Sequence, residues 1–338
     1  MENMLLTICS VCYKSYPFIS ENIRLTNKLN ANSPYSIHWL IAENTPVADR
    51  LVGAEKYARE LAISQKGTAL EWIEGIDPGL YSGNNSFHHA AALNLLLRNV
   101  HSRYILIMDP DFFALIPQWI STIIDKMESA ELGIVSAPYN PRWFRKHRSF
   151  PVGYFLLVDR MKIDVTQIDF LPEVCLNPPI PCNDEKGILK KLTTVIRKRL
   201  IPLDRFLWGA YNRKYIGADI ETGSRLEAKL ISAVVNYQLF TPVFRPREDL
   251  PFPSFWWQFG DGLYPESKRF VPRKKNVYST RGFWESDGVD FRTLGCEEYF
   301  WGDNPFGVHF RGHPKRKDLN LASNQQAFIE AINRYSGQ

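Results

Sequence analysis

The apolar residues of the chain switch between two spacings. LLTICSVCY (5–13), SIHWLIAE (36–43), LEWIE (70–74), YILIM (104–108), LGIVSAPY (132–139) and VGYFLLVDR (152–160) are short runs of strand type. Between them, residues 17–30, 47–64, 85–100 and 116–129 carry helical spacing, with Pro117 near the first turn of the last. Strands that alternate with helices predict right-handed βαβ units. The expected fold is α/β, with a mostly parallel, Rossmann-like central sheet flanked by helices. Ligands of such sheets bind beyond the carboxyl ends of the strands. After residue 160 the pattern loosens. Residues 171–183 hold Leu171 and the prolines Pro172, Pro178, Pro179 and Pro181, and read as a loop. Helices are expected over 186–201, 219–237 and 322–335, loops over 242–282, and a short strand from 306. No linker separates two cores, so one domain with two lobes is expected.

Composition narrows the class. The 338 residues are 45% hydrophobic, 13% aromatic and 23% charged, which is globular composition. A net charge of +5 suits an anionic ligand or surface. No RNA-binding signature, helix-turn-helix pattern or basic tail is present, so no nucleic-acid partner is expected. The five cysteines are too few and odd in number for a disulfide framework. Cys9 and Cys12 form a C-x-x-C inside an apolar run with no second pair at ligand spacing, and read as structural. The N-terminus reads as a first strand rather than a signal segment. No apolar run approaches the ~20 residues of a membrane span. The expected compartment is the cytoplasm.

The chemistry concentrates at YILIMDPDFF (104–113), where Asp109 and Asp111 follow a core strand. Aspartates at a strand end can cap a helix or bind turn amides. They can equally present hard oxygen ligands to Mg²⁺ or Mn²⁺, which take one or two carboxylates together with phosphate oxygens. No glycine precedes Gly53, so the first turn is not a dinucleotide-binding fingerprint, and no P-loop sequence occurs.

The order LLTICSVCYKS, HWLIAENTP, GNNSFHHAAALNLLLRNVHSRYILIMDPDFF and GIVSAPY resembles the nucleotide-sugar half of family-2 glycosyltransferases of the GT-A fold. The resemblance covers residues 4–140 in order and continues more loosely to 235. It implies a nucleotide-sugar-binding half over 1–140. The acceptor-binding half would be a looser C-terminal lobe over 141–338, with 300–338 closing the site. It implies base contacts from the turn of Ser10, Cys12 and Tyr13, and a hydrogen bond from base or ribose to Glu43. Asn84, Asn85 and His89 fall where the family reads base and ribose. Asp109 would face ribose or the metal's water, and Asp111 would bind the metal. CYK and ENT stand where many members have TYN and DNG or DDG, so the base stays open, with a UDP-sugar first among donors.

Further roles follow from the same resemblance. The family often supplies a late histidine to the metal. His309 in FGVHFRGHPKRK (306–317) matches best, and His313 second. Arg311, Lys315 and Arg316 are placed to neutralise a diphosphate. Inverting transfer needs a base for the acceptor hydroxyl. In YIGADIETGSRLEAKL (215–230) that is Glu221 first and Asp219 second, one of them capping the helix instead. Trp256, Trp257 and Trp143 are candidate acceptor-cleft walls, or core. The basic amphipathic helix 186–201 either packs on the core or lies on an anionic membrane, and the latter would favour a lipid-linked sugar acceptor. A nucleotidyltransferase and a catalytically degenerate GT-A module that binds glycans or a partner are the alternatives.

Overall fold

A computed structural model describes residues 5–76, 85–138, 153–171, 235–243, 279, 281–287, 289–310 and 321–337. Strands β1 (Leu5–Cys12), β2 (Ser36–Glu43), β3 (Thr68–Glu74) and β4 (Tyr104–Met108) run parallel. β5 (Phe112–Ala114) leaves for a second sheet. β6 (Ile134–Ser136), β7 (Phe155–Asp159) and β8 (Tyr237–Leu239) complete a seven-stranded sheet in the order β3-β2-β1-β4-β7-β6-β8. β7 runs antiparallel to both its neighbours, β4 and β6. The fold is α/β with a mostly parallel central sheet flanked by helices, as expected.

The inner strands of the sheet are buried on both faces, which explains their nearly continuous apolar runs. Alternate residues serve opposite cores. Leu6 and Ile8, Ile37 and Trp39, and Tyr104 and Leu106 face α1 (Tyr16–Leu29), α2 (Ala54–Ile63) and α4 (Trp119–Ser129). Cys9 and Val11, Leu40 and Ala42, and Ile105 and Ile107 face α3 (Asn85–Arg98). This period of two is the strand pleat.

A second sheet, ordered β5-β11-β10-β9, packs beside the first. It comprises β5, β9 (Thr241–Pro242), β10 (Cys296–Trp301) and β11 (Asn304–Phe310), all antiparallel. The C-terminal helix α5 (Leu321–Ser336) clamps this sheet to α1. Its Phe328 ring lies 4.9 Å from Phe310, 5.4 Å from Phe113 and 6.1 Å from Phe18.

Several boundaries differ from expectation for identifiable reasons. The 47–64 stretch breaks into a 3-10 turn at Val47–Asp49 and then α2, because Gly53 takes a left-handed φ of 81° just before the helix. α4 starts at Trp119 rather than 116. Its backbone N–H at Ile120 is capped by the Asn30 side chain (3.1 Å), which ends α1. The last residue of the helix expected over 219–237, Tyr237, instead begins β8, while 219–234 lie outside the described residues. The helix expected over 186–201 and most of 242–282 also lie outside them. Among the described residues, no helix is long and apolar enough to cross a membrane.

Candidate metal centre and nucleotide cleft

β1 pairs with β2 on one side and β4 on the other, so the chain order reverses at the β1/β4 boundary. Ligand sites of open α/β sheets form at the carboxyl ends of strands beside such a reversal. β4 delivers Asp109 to that place. The backbone N–H of Phe112 donates to the Asp109 carbonyl at 3.0 Å, closing a four-residue turn with Pro110 second. Asp in the first position and Pro in the second are the residues such turns favour. Asn22 of α1 braces the turn. Its buried amide donates to the carbonyls of Pro110 (2.7 Å) and Phe112 (2.9 Å). The Asp109 N–H donates to the carbonyl of Tyr154, just before β7, at 3.0 Å.

The turn hands the chain to β5, whose Phe112 pairs with His309 on β11. The N–H of Phe310 donates to the Asp111 carbonyl at 2.9 Å. His309 is 1% exposed, and its Nε2 lies 3.2 Å from Asp111 Oδ1 and 3.9 Å from Asp109 Oδ2. One ligand atom from each of Asp109, Asp111 and His309 lies within 4.8 Å of the other two. Small divalent ions with bonds of about 2.1 Å hold neighbouring ligand atoms about 3 Å apart, so the three groups fit one ion. Two carboxylates and an imidazole suit Mn²⁺, and Mg²⁺ less naturally.

The far side of the imidazole is also built. His309 Nδ1 lies 3.4 Å from Oε2 of Glu297 on β10, a carboxylate as buried as the histidine. The ring stacks on Tyr154 at 4.4 Å and an angle of 27°. His89 of α3 approaches Asp109 from the other side, Nε2 to Oδ1 3.3 Å. Burial pushes the His89 imidazole down. The charge and hydrogen bond of Asp109, with Asp111 adding, more than offset it, so its pKa stands above 6.5.

A pocket of about 230 Å³ opens at the carboxyl ends of β2 and β3. Tyr16, Glu43, Arg50, Trp72 and Glu74 are among its lining residues, and the Tyr16 and Trp72 rings stack at 6.4 Å. Glu43 is buried. Its Oε1 accepts the Thr45 N–H at 2.8 Å. Arg50 pairs with Glu74 and donates from Nε to the Thr45 carbonyl at 3.0 Å. Two strand spacings of about 4.8 Å separate β2 from β4, so pocket and carboxylates lie on the order of 10 Å apart.

Among the first-strand candidates, Ser10 donates its hydroxyl to the Met108 carbonyl at 2.8 Å, tying β1 to β4. Cys12 is fully buried, and that burial, with the Glu43 charge adding, pushes its thiol up to about 12. Burial likewise raises Cys9, so neither sulfur offers a thiolate, in line with structural cysteines. Tyr13 is exposed just beyond the strand. Asn85 begins α3. Asn84, Trp143, Asp219, Glu221, Trp256, Trp257, Arg311, His313, Lys315 and Arg316 lie outside the described residues. Sequence reasoning missed Glu297, Tyr154, Asn22 and Trp72. A pair of glutamates inside the aromatic run CEEYFW was the one available hint for Glu297.

No protein-family model and no curated relative match the chain. Among solved structures it is similar to a mannosyltransferase of Pyrobaculum calidifontis in complex with GDP-Man and Mn²⁺, at 18% identity and a TM-score of 0.36. That match covers 49% of this chain and 47% of the other, so the chain spans about half that protein's length. It is similar to the galactosyltransferase LgtC in complex with donor and acceptor sugar analogues, at 10% identity, TM-score 0.38, covering 98% and 96%. A third is the glycosyltransferase GlyE of Streptococcus pneumoniae TIGR4, at 11% identity, TM-score 0.40, covering 98% and 63%. Likenesses at these scores decide nothing about the site, which rests on the chain's own residues.

Proposed function

We propose that the chain is a metal-dependent glycosyltransferase that moves a sugar from a nucleotide-sugar donor to an acceptor hydroxyl. The convergence of Asp109, Asp111 and His309 at the carboxyl end of β4 carries this reading. In it these three residues hold Mn²⁺ or Mg²⁺, which when bound supplies positive charge to the leaving diphosphate. Arg311, Lys315 and Arg316 add to that charge. The nucleoside lies along the strand ends. Its base sits in the pocket at Glu43 and Trp72, with Tyr13 and the Asn84–His89 segment near base and ribose. A UDP-sugar is the first donor to test.

The remaining roles belong to the same reading. Residues 1–140 form the donor half and 141–338 the acceptor half, closed by 300–338. Transfer inverts the anomeric centre, with Glu221, or Asp219 in its place, taking the acceptor proton. Trp143, Trp256 and Trp257 wall the acceptor. The protein works in the cytoplasm. If helix 186–201 rests on an anionic membrane, a lipid-linked sugar becomes the acceptor of choice.

The test is slow donor hydrolysis without acceptor. UDP-, GDP- and dTDP-sugars are each offered with and without Mn²⁺ to wild type and Asp111→Ala. Metal-dependent release of one nucleoside diphosphate, lost in the variant, is the expected result. Pyrophosphate release from a nucleoside triphosphate would instead make the protein a nucleotidyltransferase. No turnover of any donor by the folded wild type would leave a binding module.

A further inference from the structure

We propose that Glu297 is the positioning residue of the metal centre, holding the Nδ1 side of His309 so that Nε2 faces Asp109 and Asp111. The inference rests on the metal reading above and concerns a residue on the Nδ1 side of the imidazole, away from the nitrogen that faces the aspartates.

Pairing in the second sheet sets the geometry. Glu297 on β10 and His309 on β11 are direct cross-strand partners, so the register of the hairpin aims one side chain at the other. Nδ1 and Oε2 are 3.4 Å apart and both side chains are 1% exposed. A buried carboxylate is expensive to keep away from water, and its cost is offset when it meets hydrogen-bond donors. A neutral imidazole has one donor nitrogen and one acceptor nitrogen. Placing the proton on Nδ1, toward Glu297, leaves the Nε2 lone pair for an ion.

The carboxylate is itself held. The Tyr299 hydroxyl donates to Glu297 Oε2 at 3.0 Å and lies 2.7 Å from the Tyr154 hydroxyl. The same Tyr154 lays its ring on the imidazole and donates its hydroxyl to the Pro138 carbonyl. With Phe112 at 6.0 Å from the imidazole, the ring is fixed in plane and tilt. The neighbouring Glu298 makes a useful contrast. It is equally buried, but its two oxygens accept the backbone N–H groups of Phe283 (3.2 Å) and Phe291 (3.1 Å). One glutamate of the pair anchors backbone, and the other serves the histidine.

The experiment titrates Mn²⁺ alone into the full chain and reads free Mn²⁺ by electron paramagnetic resonance, for wild type, Glu297→Gln, Tyr299→Phe and Glu298→Gln. Glu297→Gln should weaken Mn²⁺ binding about 10- to 100-fold, the range seen when the outer partner of a ligating histidine is removed. Tyr299→Phe should weaken it less, and Glu298→Gln should lower the melting temperature while leaving Mn²⁺ affinity in place. A folded Glu297→Gln that binds within about twofold of wild type overturns the proposal. Should that variant not fold, unchanged affinity in Tyr299→Phe overturns it instead. A wild type that binds no Mn²⁺ at all overturns the metal reading, and this inference with it.

Discussion

Asp111, at the head of β5, and His309 on β11 face each other within the second sheet, beside its seam with the first, Oδ1 to Nε2 3.2 Å, while the Asp111 carbonyl accepts the N–H of the residue after His309. The backbone bond fixes Asp111 beside the histidine before any ion arrives. Mn²⁺ at about 100 times its Kd should therefore stabilise the wild type by ~2.7 kcal/mol. Thermal melts with Mn²⁺ and after EDTA give the difference. Asp111→Ala should erase the shift, and a shift that survives in this variant would place the ion elsewhere.

Glu43 and Trp72 test the pocket independently of the metal. One Glu43 oxygen already accepts the Thr45 N–H. A hydrogen bond from a base to the charged group contributes about 1.5–3 kcal/mol. Glu43→Gln should thus weaken UDP binding tenfold or more by calorimetry, and Trp72→Ala should weaken it too. Unchanged affinity in both variants would remove the base from this pocket.

The Asn22 amide is the brace of the Asp-Pro-Asp turn, donating to the carbonyls of Pro110 and Phe112. Asn22→Ala leaves both carbonyls short of a partner, at a cost of about 1–3 kcal/mol. Urea unfolding should show that loss, and Mn²⁺ affinity should fall with it, because both aspartates ride on the turn. A loss of stability with full Mn²⁺ affinity would show that the turn holds its shape unaided.

Phe328 ties α5 to four other rings, those of Phe18, Phe113, Phe291 and Phe310. Phe328→Ala should destabilise the protein by about 3–5 kcal/mol, the usual cost of emptying such a position. Chemical denaturation measures it. A loss under about 1 kcal/mol would mean that the cluster closes around the gap.

His38 sets a pH dependence far from the metal. Burial pushes its imidazole below 6.5, and Glu71, 3.8 Å away on the next strand, only partly opposes this. The unfolded chain then binds the proton more readily than the folded one. Stability from this residue is complete above about pH 6.5 and falls as pH drops through the lower folded value. Urea unfolding at about pH 5 and about pH 7.5 should show a smaller difference for His38→Gln than for wild type. Equal differences would mean that His38 binds its proton equally well in the folded and unfolded chain.

The parallel half was legible because β1, β2 and β4 are buried on both faces, and their apolar runs are bounded by turn residues and separated by periodic helices. The same runs could not reveal that β7 is antiparallel, since a strand buried on both sides reads alike in either direction. β5 hid because Phe112, Phe113 and Ala114 look like overflow from β4. β10 hid because Glu297 and Glu298 resemble solvent-facing charges although both are buried. In the site, Asp109, Asp111 and His309 could be named from the order of motifs along the chain. Glu297, Tyr154 and Asn22 could not, because their roles come from strand register and from helix–turn contact, which local sequence does not record.

The seam also orders events in time. Asp109 is tied to the first sheet through Tyr154, Asp111 to the second through Phe310, and the histidine arrives only with β11. A nascent chain that has made β1–β4 displays two carboxylates with no third partner. On the proposed metal reading, the ligand set is completed only when the late hairpin docks.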